Sequence, residues 1–148
     1  MPRHAEKKQL PYKAQDMYDL VADVESYPGF LPWCAAARIR AREDKGDHEL
    51  VTADLVISFK VFRERFGSRV ELHPDQNFID TEYLDGPFRY LKSRWKFEDL
   101  PDGGCEIDFF VDFEFKNRML QGVIGVVFNE AMHRIVRAFE SRAKELYG

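Results

Sequence analysis

Glu64, Ser68 and Ser93 are the polar side chains whose positions could support chemistry inside this protein. Each follows or lies between large apolar residues, at a position that alternation predicts to face inward. An unpaired buried hydroxyl or carboxyl group costs about 1–3 kcal/mol, so each must find a protein partner, water in a cavity or a ligand. A register shifted by one residue would instead turn Glu64 outward. No second titratable group is paired with Glu64 in the pattern, so acid–base catalysis is not indicated.

The histidines predict no metal site. His4, His48, His73 and His133 fall on separate predicted elements, and two of them lie next to turns. Glu130 and His133 form one Glu-x-x-His motif, whereas a di-iron bundle needs two copies on facing helices. The spacing therefore indicates no cluster of metal ligands.

The remaining reactive residues form no catalytic motif. Cys34 and Cys105 lie far apart, without a CxxC spacing or a neighbouring histidine, so neither a disulfide framework nor a metal site is indicated. The sequence also has no Gly-rich phosphate loop and no GxSxG elbow. We therefore predict no catalytic residues and expect a reducing, cytoplasmic environment.

The charge of the chain argues against nucleic-acid binding. Its 148 residues carry a formal net charge of −4, whereas phosphate contacts require a basic surplus on at least one face. Two predicted strands carry arginines that could form such a face: Arg38, Arg40, Arg42, Arg63, Arg65 and Arg69. With strands in chain order, the last three would lie opposite Asp80 and Glu82, which favours cross-strand ion pairs. We predict no DNA partner, and an RNA-binding face stays as the alternative.

Short alternating segments dominate the chain between two predicted helices. After a strand at about residues 3–10, apolar residues at helical spacing from Met17 to Val24 predict an amphipathic helix that ends at Pro28. Turn signals then separate alternating segments up to residue 115, which is typical of a meander of antiparallel strands. The turn before the segment that begins at Phe62 contains neither Gly nor Pro, so its register is open.

A final helix of about thirty residues, 118–147, is the element long enough to cover the apolar face of this sheet. The segment 123–128 is apolar on every side, so it must contact more than the sheet: a cavity, a partner or lipid headgroups. The N-terminus has no apolar signal-peptide core, and no stretch approaches the ~20 apolar residues of a membrane span.

Several motifs together resemble a known family. They are the run from Asp23 to Cys34 (DVESYPGFLPWC), Arg63-Glu64-Arg65-Phe66, Asp85-Gly86-Pro87-Phe88, Trp95-x-Phe97, Asp112-Phe113-Glu114-Phe115 and Phe139-Glu140-x-Arg142-Ala143. The sequence is similar over nearly its whole length to the coenzyme Q-binding START-domain family of the polyketide cyclase-like superfamily. Some bacterial members of that family are named as ribosome association toxins. Lys13 departs from the small helix-capping residue expected there, and Gly29 from the usual side chain.

The resemblance implies one α+β domain, residues 1–148, with a helix-grip (START-like) fold. A curved antiparallel sheet of about seven strands would wrap around the long C-terminal helix, with one or two short helices after the first strand. The implied function is binding of ubiquinone or a similar polyisoprenoid lipid, as a chaperone or carrier that supports respiratory electron transport. The alternatives are a ribosome association toxin that binds the large ribosomal subunit and a polyketide cyclase-like enzyme.

Residues 27–33, which we call the lip, contain two prolines and four large apolar side chains that a short turn cannot bury by itself. In the implied fold this segment faces the start of the last helix across an apolar cavity, unless it simply plugs the core. The predicted ligand-binding residues are Tyr27, Phe30, Leu31, Trp33, Leu55, Phe62, Glu64, Phe66, Ser68, Tyr83, Leu91, Ser93, Trp95, Val123, Ile124 and Val127. We expect no metal and no cofactor apart from a bound quinone. A bacterial form would work in the cytoplasm and visit the inner membrane surface and, in this interpretation, respiratory complexes.

Overall fold

The computed structural model describes residues 3–59 and 62–148, and the strands within this part form one antiparallel sheet. These strands are β1 (Arg3–Leu10), β2 (Cys34–Asp44), β3 (Glu49–Phe59), β4 (Phe62–His73), β5 (Phe78–Asp85), β6 (Phe88–Asp99) and β7 (Cys105–Phe115). The helices are α1 (Ala14–Ala22) and α2 (Arg118–Tyr147), with 3₁₀ turns at Val24–Gly29 and Pro74–Gln76. The predicted α+β class, seven-stranded sheet and long C-terminal helix are confirmed.

The strand order is β1-β7-β6-β5-β4-β3-β2, so six strands follow chain order and the first strand closes the far edge. Because β1 pairs with β7, which leads directly into α2, the start and the end of the chain lie side by side. The connection from β1 to β2 carries α1 and the first 3₁₀ turn across to the opposite edge. Helix α2 therefore lies next to β1 and β7 and also contacts α1.

Helix α2 begins where Asn117 caps it, since the Asn117 side chain accepts a hydrogen bond from the Leu120 amide. Its 30 residues correspond to a length of about 45 Å at 1.5 Å per residue. The buried stripe consists of Leu120, Ile124, Phe128, Ala131, Met132, Val136, Phe139 and Ala143. Helical spacing in the sequence predicts a different stripe, formed by Leu120, Val123, Ile124, Val127, Ala131, Ile135, Phe139, Ala143 and Leu146. The observed stripe is rotated from it: Phe128 packs against Phe113, whereas Val127 is 39% exposed. Because segment 123–128 is apolar on all sides, its periodicity could not determine which side faces the sheet.

Helix α1 begins without a capping side chain at Lys13, as the sequence indicates. Asp99 of β6 replaces the missing cap, because its carboxylate accepts a hydrogen bond of 2.9 Å from the Ala14 amide. Ala14 and Met17 are fully buried, which fixes α1 against the sheet.

The strand register confirms one predicted cross-strand charge pair and corrects two others. Arg69 lies opposite Glu82, as expected. Arg63 and Arg65 lie beyond the end of β5, because pairing of β4 with β5 begins only at Gly67. The Arg65 guanidinium instead donates to Asp54 on β3, at 2.5 Å, and to Asp85, at 3.1 Å. The turn whose register was open includes residues 60–61, which lie outside the described residues.

Candidate functional site

A cavity of about 260 Å³ lies between the inner face of the sheet and α2. Roughly 10–15 Å³ of such volume is enough for one water molecule, so this space can accept a substantial organic group. Its walls come from the lip region, β3 to β7 and α2, and are almost entirely apolar. The lining residues are Val24, Tyr27, Leu31, Pro32, Trp33, Cys34, Leu55, Ile57, Phe59, Phe62, Glu64, Phe66, Ser68, Val70, Ile79, Thr81, Phe88, Leu91, Ser93, Trp95, Phe109, Val111, Phe113, Phe115, Leu120, Ile124, Ala131, Met132, Ile135 and Phe139.

Aromatic rings of the sheet pack against one another instead of filling this space. Phe88 stacks on Phe115 with ring centroids 4.6 Å apart and meets Phe66 edge to face at 5.1 Å. Trp95 stacks on Phe109 at 4.2 Å. Such contacts hold the rings in fixed positions along the sheet, so they form a rigid apolar wall.

The lip, residues 27–33, covers one side of the cavity and is held at two places. The Tyr27 hydroxyl donates a hydrogen bond of 2.5 Å to the Val21 carbonyl, and burial raises the pKa of Tyr27 well above its ordinary value. Tyr27 and Phe30 both pack edge to face on Phe139 of α2, at 5.4 and 5.3 Å. This end of the lip is therefore fixed to the core.

The other end of the lip is Trp33, which has a φ of 64°. A bulky residue in this left-handed region is strained, so the surrounding contacts must hold it there. Its ring meets Phe59 at 5.9 Å, and the Arg134 guanidinium of α2 lies 5.2 Å from the ring centroid. This arrangement is a cation–π contact between the lip and α2.

Three hydroxyl groups occupy neighbouring strands of the cavity wall. Ser68 on β4 is 2% exposed, and Thr81 on β5 lies directly opposite Ser93 on β6. Glu64 is exposed, so it lies where the cavity meets solvent. Cys34 also lines the cavity, and burial raises the pKa of its thiol. The site thus offers a short row of hydroxyl donors within an apolar wall.

The structure brings together twelve of the sixteen predicted site residues at this cavity. Phe30, Tyr83, Val123 and Val127 are not among the lining residues. The Tyr83 hydroxyl accepts a hydrogen bond of 3.0 Å from the Phe88 amide, so Tyr83 contacts a lining residue without lining the cavity itself. Phe30 lies on Phe139 and under the Arg142 guanidinium.

Sequence reasoning missed five of the six α2 residues that line the cavity: Leu120, Ala131, Met132, Ile135 and Phe139. Apart from Met132, these residues belong to the stripe that helical spacing predicts to be buried. The signal was present, but the prediction placed the cavity too close to the start of the helix.

The prediction that the histidines do not cluster is wrong. His4 and His133, on β1 and α2, have ring centroids 4.9 Å apart, and Glu6 lies between them. His48, in the turn before β3, stacks on His73 at the end of β4 with ring centroids 4.6 Å apart. Sheet pairing and helix packing brought together residues that lie far apart in sequence.

The start of α2 also carries an exposed apolar surface. Met119 is 73% exposed and Val126 is 86% exposed. Among the helices that the structure describes, none combines the length and hydropathy that crossing a bilayer requires.

Comparison with known proteins places the chain in a family. Residues 10–140 match the family described as "Polyketide cyclase / dehydrase and lipid transport". The chain is 43% identical over 143 residues to a protein of Rickettsia prowazekii named ribosome association toxin RatA, covering 94% of both chains. It is 33% identical over 149 residues to the mitochondrial coenzyme Q-binding protein COQ10 homolog B of Xenopus laevis, covering 98% of this chain and 59% of the relative.

The fold agrees with these matches. The solution structure of an 18 kDa protein from Caulobacter crescentus superposes with a TM-score of 0.83 at 33% identity, covering 100% of this chain and 99% of that chain. The sequence match, the shared fold and a cavity between the sheet and the last helix agree with one another. The chain therefore belongs to the polyketide cyclase and lipid transport family of START-like proteins.

Proposed function

We propose that this protein binds ubiquinone, or a similar polyisoprenoid quinone, in the cavity between the sheet and α2. In this proposal it serves as a chaperone or carrier that supports respiratory electron transport. The observation that carries the proposal is the 260 Å³ apolar cavity with its cover of aromatic residues. Each CH₂ group moved from water into such a site gains roughly 0.8 kcal/mol, so a short isoprenoid segment supplies substantial affinity without covalent chemistry.

The hydroxyl row supplies the polar contacts that a quinone head requires. Quinone carbonyls accept hydrogen bonds, and Ser68, Thr81 and Ser93 each carry an O–H donor. An ionised carboxylate such as Glu64 can only accept, so it is the poorer partner for a quinone carbonyl. We therefore assign the head group to the wall formed by β4, β5 and β6, with the tail directed toward the lip and α2.

The exposed start of α2 fits a carrier that visits a bilayer surface to exchange its ligand. Met119 and Val126 present apolar side chains beside the cavity-lining residues Leu120 and Ile124. Insertion of these side chains among lipid headgroups would bring the cavity close to the membrane, where the quinone resides. We propose a cytoplasmic protein that associates transiently with the inner membrane and delivers quinone to respiratory complexes.

Binding without catalysis is the better proposal than cyclisation. The family description includes cyclases, and such chemistry needs converging groups that transfer protons. Among the described lining residues, Glu64 is the one carboxylate, and the lining contains no histidine or lysine. The relatives at 43% and 33% identity are named as a toxin and a binding protein.

Extraction of the native ligand tests this proposal. Protein purified from its own cells is extracted with organic solvent, and the extract is analysed by mass spectrometry. We expect close to one quinone per chain. Ile135→Trp fills the cavity from α2 and should abolish quinone recovery, whereas the control Ser141→Trp places the same ring at an exposed position of the same helix. Equal quinone recovery from both variants, or none from the wild type, would contradict the proposal.

Ribosome binding is the second candidate, favoured by the name of the relative at 43% identity. The outer faces of β2 and β4 carry exposed arginines, including Arg38, Arg63 and Arg69. The double variant Arg63→Glu/Arg69→Glu reverses charge without touching the Arg65 pairs. If this candidate is correct, the variant loses co-sedimentation with large ribosomal subunits and its quinone content is unchanged. Tight co-sedimentation of a chain that yields no quinone would favour this function over quinone transport.

A further inference from the structure

We propose that His4, Glu6 and His133 form a binding site for one divalent cation of the zinc class. Glu6 Oε1 lies 2.9 Å from His4 Nε2 and 3.0 Å from His133 Nδ1. One potential ligand atom from each residue lies within 4.8 Å of the others. The site is separate from the cavity, since none of the three residues lines it.

The fold fixes these ligands in advance. His4 and Glu6 are two residues apart on β1, so both side chains point to the same face of the strand. His133 reaches them from α2, which passes over that face. His4 is 7% exposed and Glu6 is 15% exposed, whereas His133 is 46% exposed. Two ligands are thus held by surrounding structure, and the third leaves a side open to solvent.

The donor set selects the class of metal. Two imidazole nitrogens and one carboxylate oxygen suit zinc and similar transition ions, whereas calcium and magnesium prefer oxygen ligands alone. Tetrahedral zinc with bonds of about 2.0–2.1 Å holds its ligand atoms about 3.3 Å apart. Glu6 Oε1 reaches this separation from each histidine nitrogen by a movement of a few tenths of an ångström. The two histidine nitrogens lie within 4.8 Å of each other and must close to the same separation. Water supplies the fourth ligand on the solvent side.

The surroundings of His4 suit a cation at this position. His4 Nε2 faces the Glu6 carboxylate, and His4 Nδ1 lies 3.4 Å from the side-chain amide of Asn129. With a metal ion at Nε2, Nδ1 carries the hydrogen and donates to Asn129 Oδ1, the outer-shell arrangement typical of metal-binding histidines. Without a metal ion, Nε2–H donates to Glu6, and the Asn129 amide group, turned by 180°, donates to Nδ1. The experiment below separates these two arrangements.

The neighbouring charges leave the three ligands available. Glu130, three residues before His133, accepts a hydrogen bond of 3.0 Å from Arg137. Glu140 is paired with Lys8 at 2.8 Å, a second contact between β1 and α2. The acidic partner of His133 is therefore Glu6 from the sheet. A cation bound here would tie the edge strand to α2 next to Met132, which lines the cavity.

Calorimetric titration of the full chain with Zn²⁺ tests the site, after the protein has been dialysed against a chelator. We expect one Zn²⁺ per chain with a micromolar or lower Kd. Glu6→Gln preserves the shape of the side chain, and His133→Ala alters an exposed position, so both variants should fold. Each should weaken Zn²⁺ binding at least tenfold. The control His48→Ala/His73→Ala removes the other histidine pair and should bind Zn²⁺ like the wild type.

The proposal is overturned if the wild type takes up no Zn²⁺, which is the result expected if His4 only hydrogen-bonds to Glu6 and Asn129. It is also overturned if His133→Ala retains wild-type stoichiometry and affinity, or if the loss occurs in the His48→Ala/His73→Ala control. Circular dichroism of each variant shows that it is folded. If Glu6→Gln does not fold, the His133→Ala titration decides by itself.

Discussion

The two ends of the space between the sheet and α2 differ in how they are filled. At the packed end, α1 lies beside the last turns of α2, where the Tyr147 hydroxyl donates to the Asp16 carbonyl. The packed end includes Met17, Val21, Cys105 and Ala143, each at most 1% exposed. At the cavity end, Leu55, Phe62 and Leu91 face inward but are only partly buried. The sheet has the same alternation of apolar and polar residues at both ends.

The difference arises from what covers the sheet. A helix covers the packed end and fills it with side chains at close spacing. The lip covers the cavity end, where Phe30 contacts Phe139 and Trp33 contacts Phe59, and a cavity remains beneath it. Side chains beside a cavity lack contact partners on one side and so contribute less dispersion energy. The packed end therefore supplies the stability that allows the other end to keep its cavity.

The two cysteines give the largest expected contrast between the ends. Burial raises the pKa of the Cys105 thiol to about 11, whereas Cys34 is partly exposed at the cavity. At pH 8 we expect Cys34 to react with a thiol reagent at least about a hundredfold faster than Cys105, because the Cys105 thiol becomes accessible only when the folded structure opens. Mass spectrometry resolved by peptide measures both rates in the wild type. Equal rates would show that the packed end opens as readily as the lip.

The Cys105 thiol also makes stability depend on pH. Its pKa in the folded protein lies above the ordinary value of about 9, so its contribution to stability is complete below pH 9. That contribution is lost as pH rises toward 11, because the unfolded chain releases the proton first. Urea titrations between pH 8 and pH 11 should show falling stability, and Cys105→Ala should reduce the slope. A slope identical to that of the wild type would exclude Cys105 as its cause.

Matched leucine truncations compare the packing of the two ends directly. Leu20 on α1 is 4% exposed and lies outside the cavity, whereas Leu91 lines it. Leu20→Ala should cost about 2–5 kcal/mol of unfolding free energy, as is usual for a new cavity in a close-packed core. Leu91→Ala should cost about 1 kcal/mol, since the side chain already lacks neighbours on one side. Urea denaturation measures both values, and equal costs would mean that both ends are packed alike.

The sequence predicted the elements well, because alternation and helical spacing follow from how strands and helices bury one side. It could not predict the rotation of α2 at Val127 and Phe128, where every side is apolar and only contact with Phe113 selects the buried residue. It identified the lip from its prolines and apolar residues. Which lip residues face the cavity depends on the positive φ of Trp33, which no local signal in the sequence indicates.

The histidine cluster was invisible in the sequence for a different reason. His4 and His133 are separated by nearly the whole chain, and they meet because β1 pairs with β7 and α2 follows β7. Motif spacing detects ligands within one element or one hairpin. Contacts created by the closing strand of a sheet require the strand order, which periodicity does not provide.

Two glycines with positive φ test how tightly the wall of the cavity end is built. A Cβ atom on Gly86 would lie 2.7 Å from Phe66 Cβ and 2.8 Å from Phe66 Cα, whereas Gly46 has nothing within 4 Å. Both Gly→Ala changes place a Cβ atom at positive φ, 96° at Gly46 and 136° at Gly86, which costs about 1–3 kcal/mol of backbone strain. Gly86→Ala should cost about 1–3 kcal/mol more, because Phe66 must move. Thermal unfolding measures the loss of stability in the two variants. Equal losses would mean that the turn after β5 changes conformation without displacing Phe66.

The smallest expected effect concerns the contact between Arg134 and Trp33. Exposed cation–π contacts contribute about 0.5–1 kcal/mol, so Arg134→Ala should increase the population of an open lip by about two- to fivefold. Acrylamide quenching of Trp33 in a Trp95→Phe background measures this opening. Arg137→Ala is the control, since Arg137 lies on the same helix but pairs with Glu130. Tyr27 and Phe30 remain on Phe139 in the variant, so only the Trp33 end should loosen, and unchanged quenching would mean that Phe59 alone holds the ring.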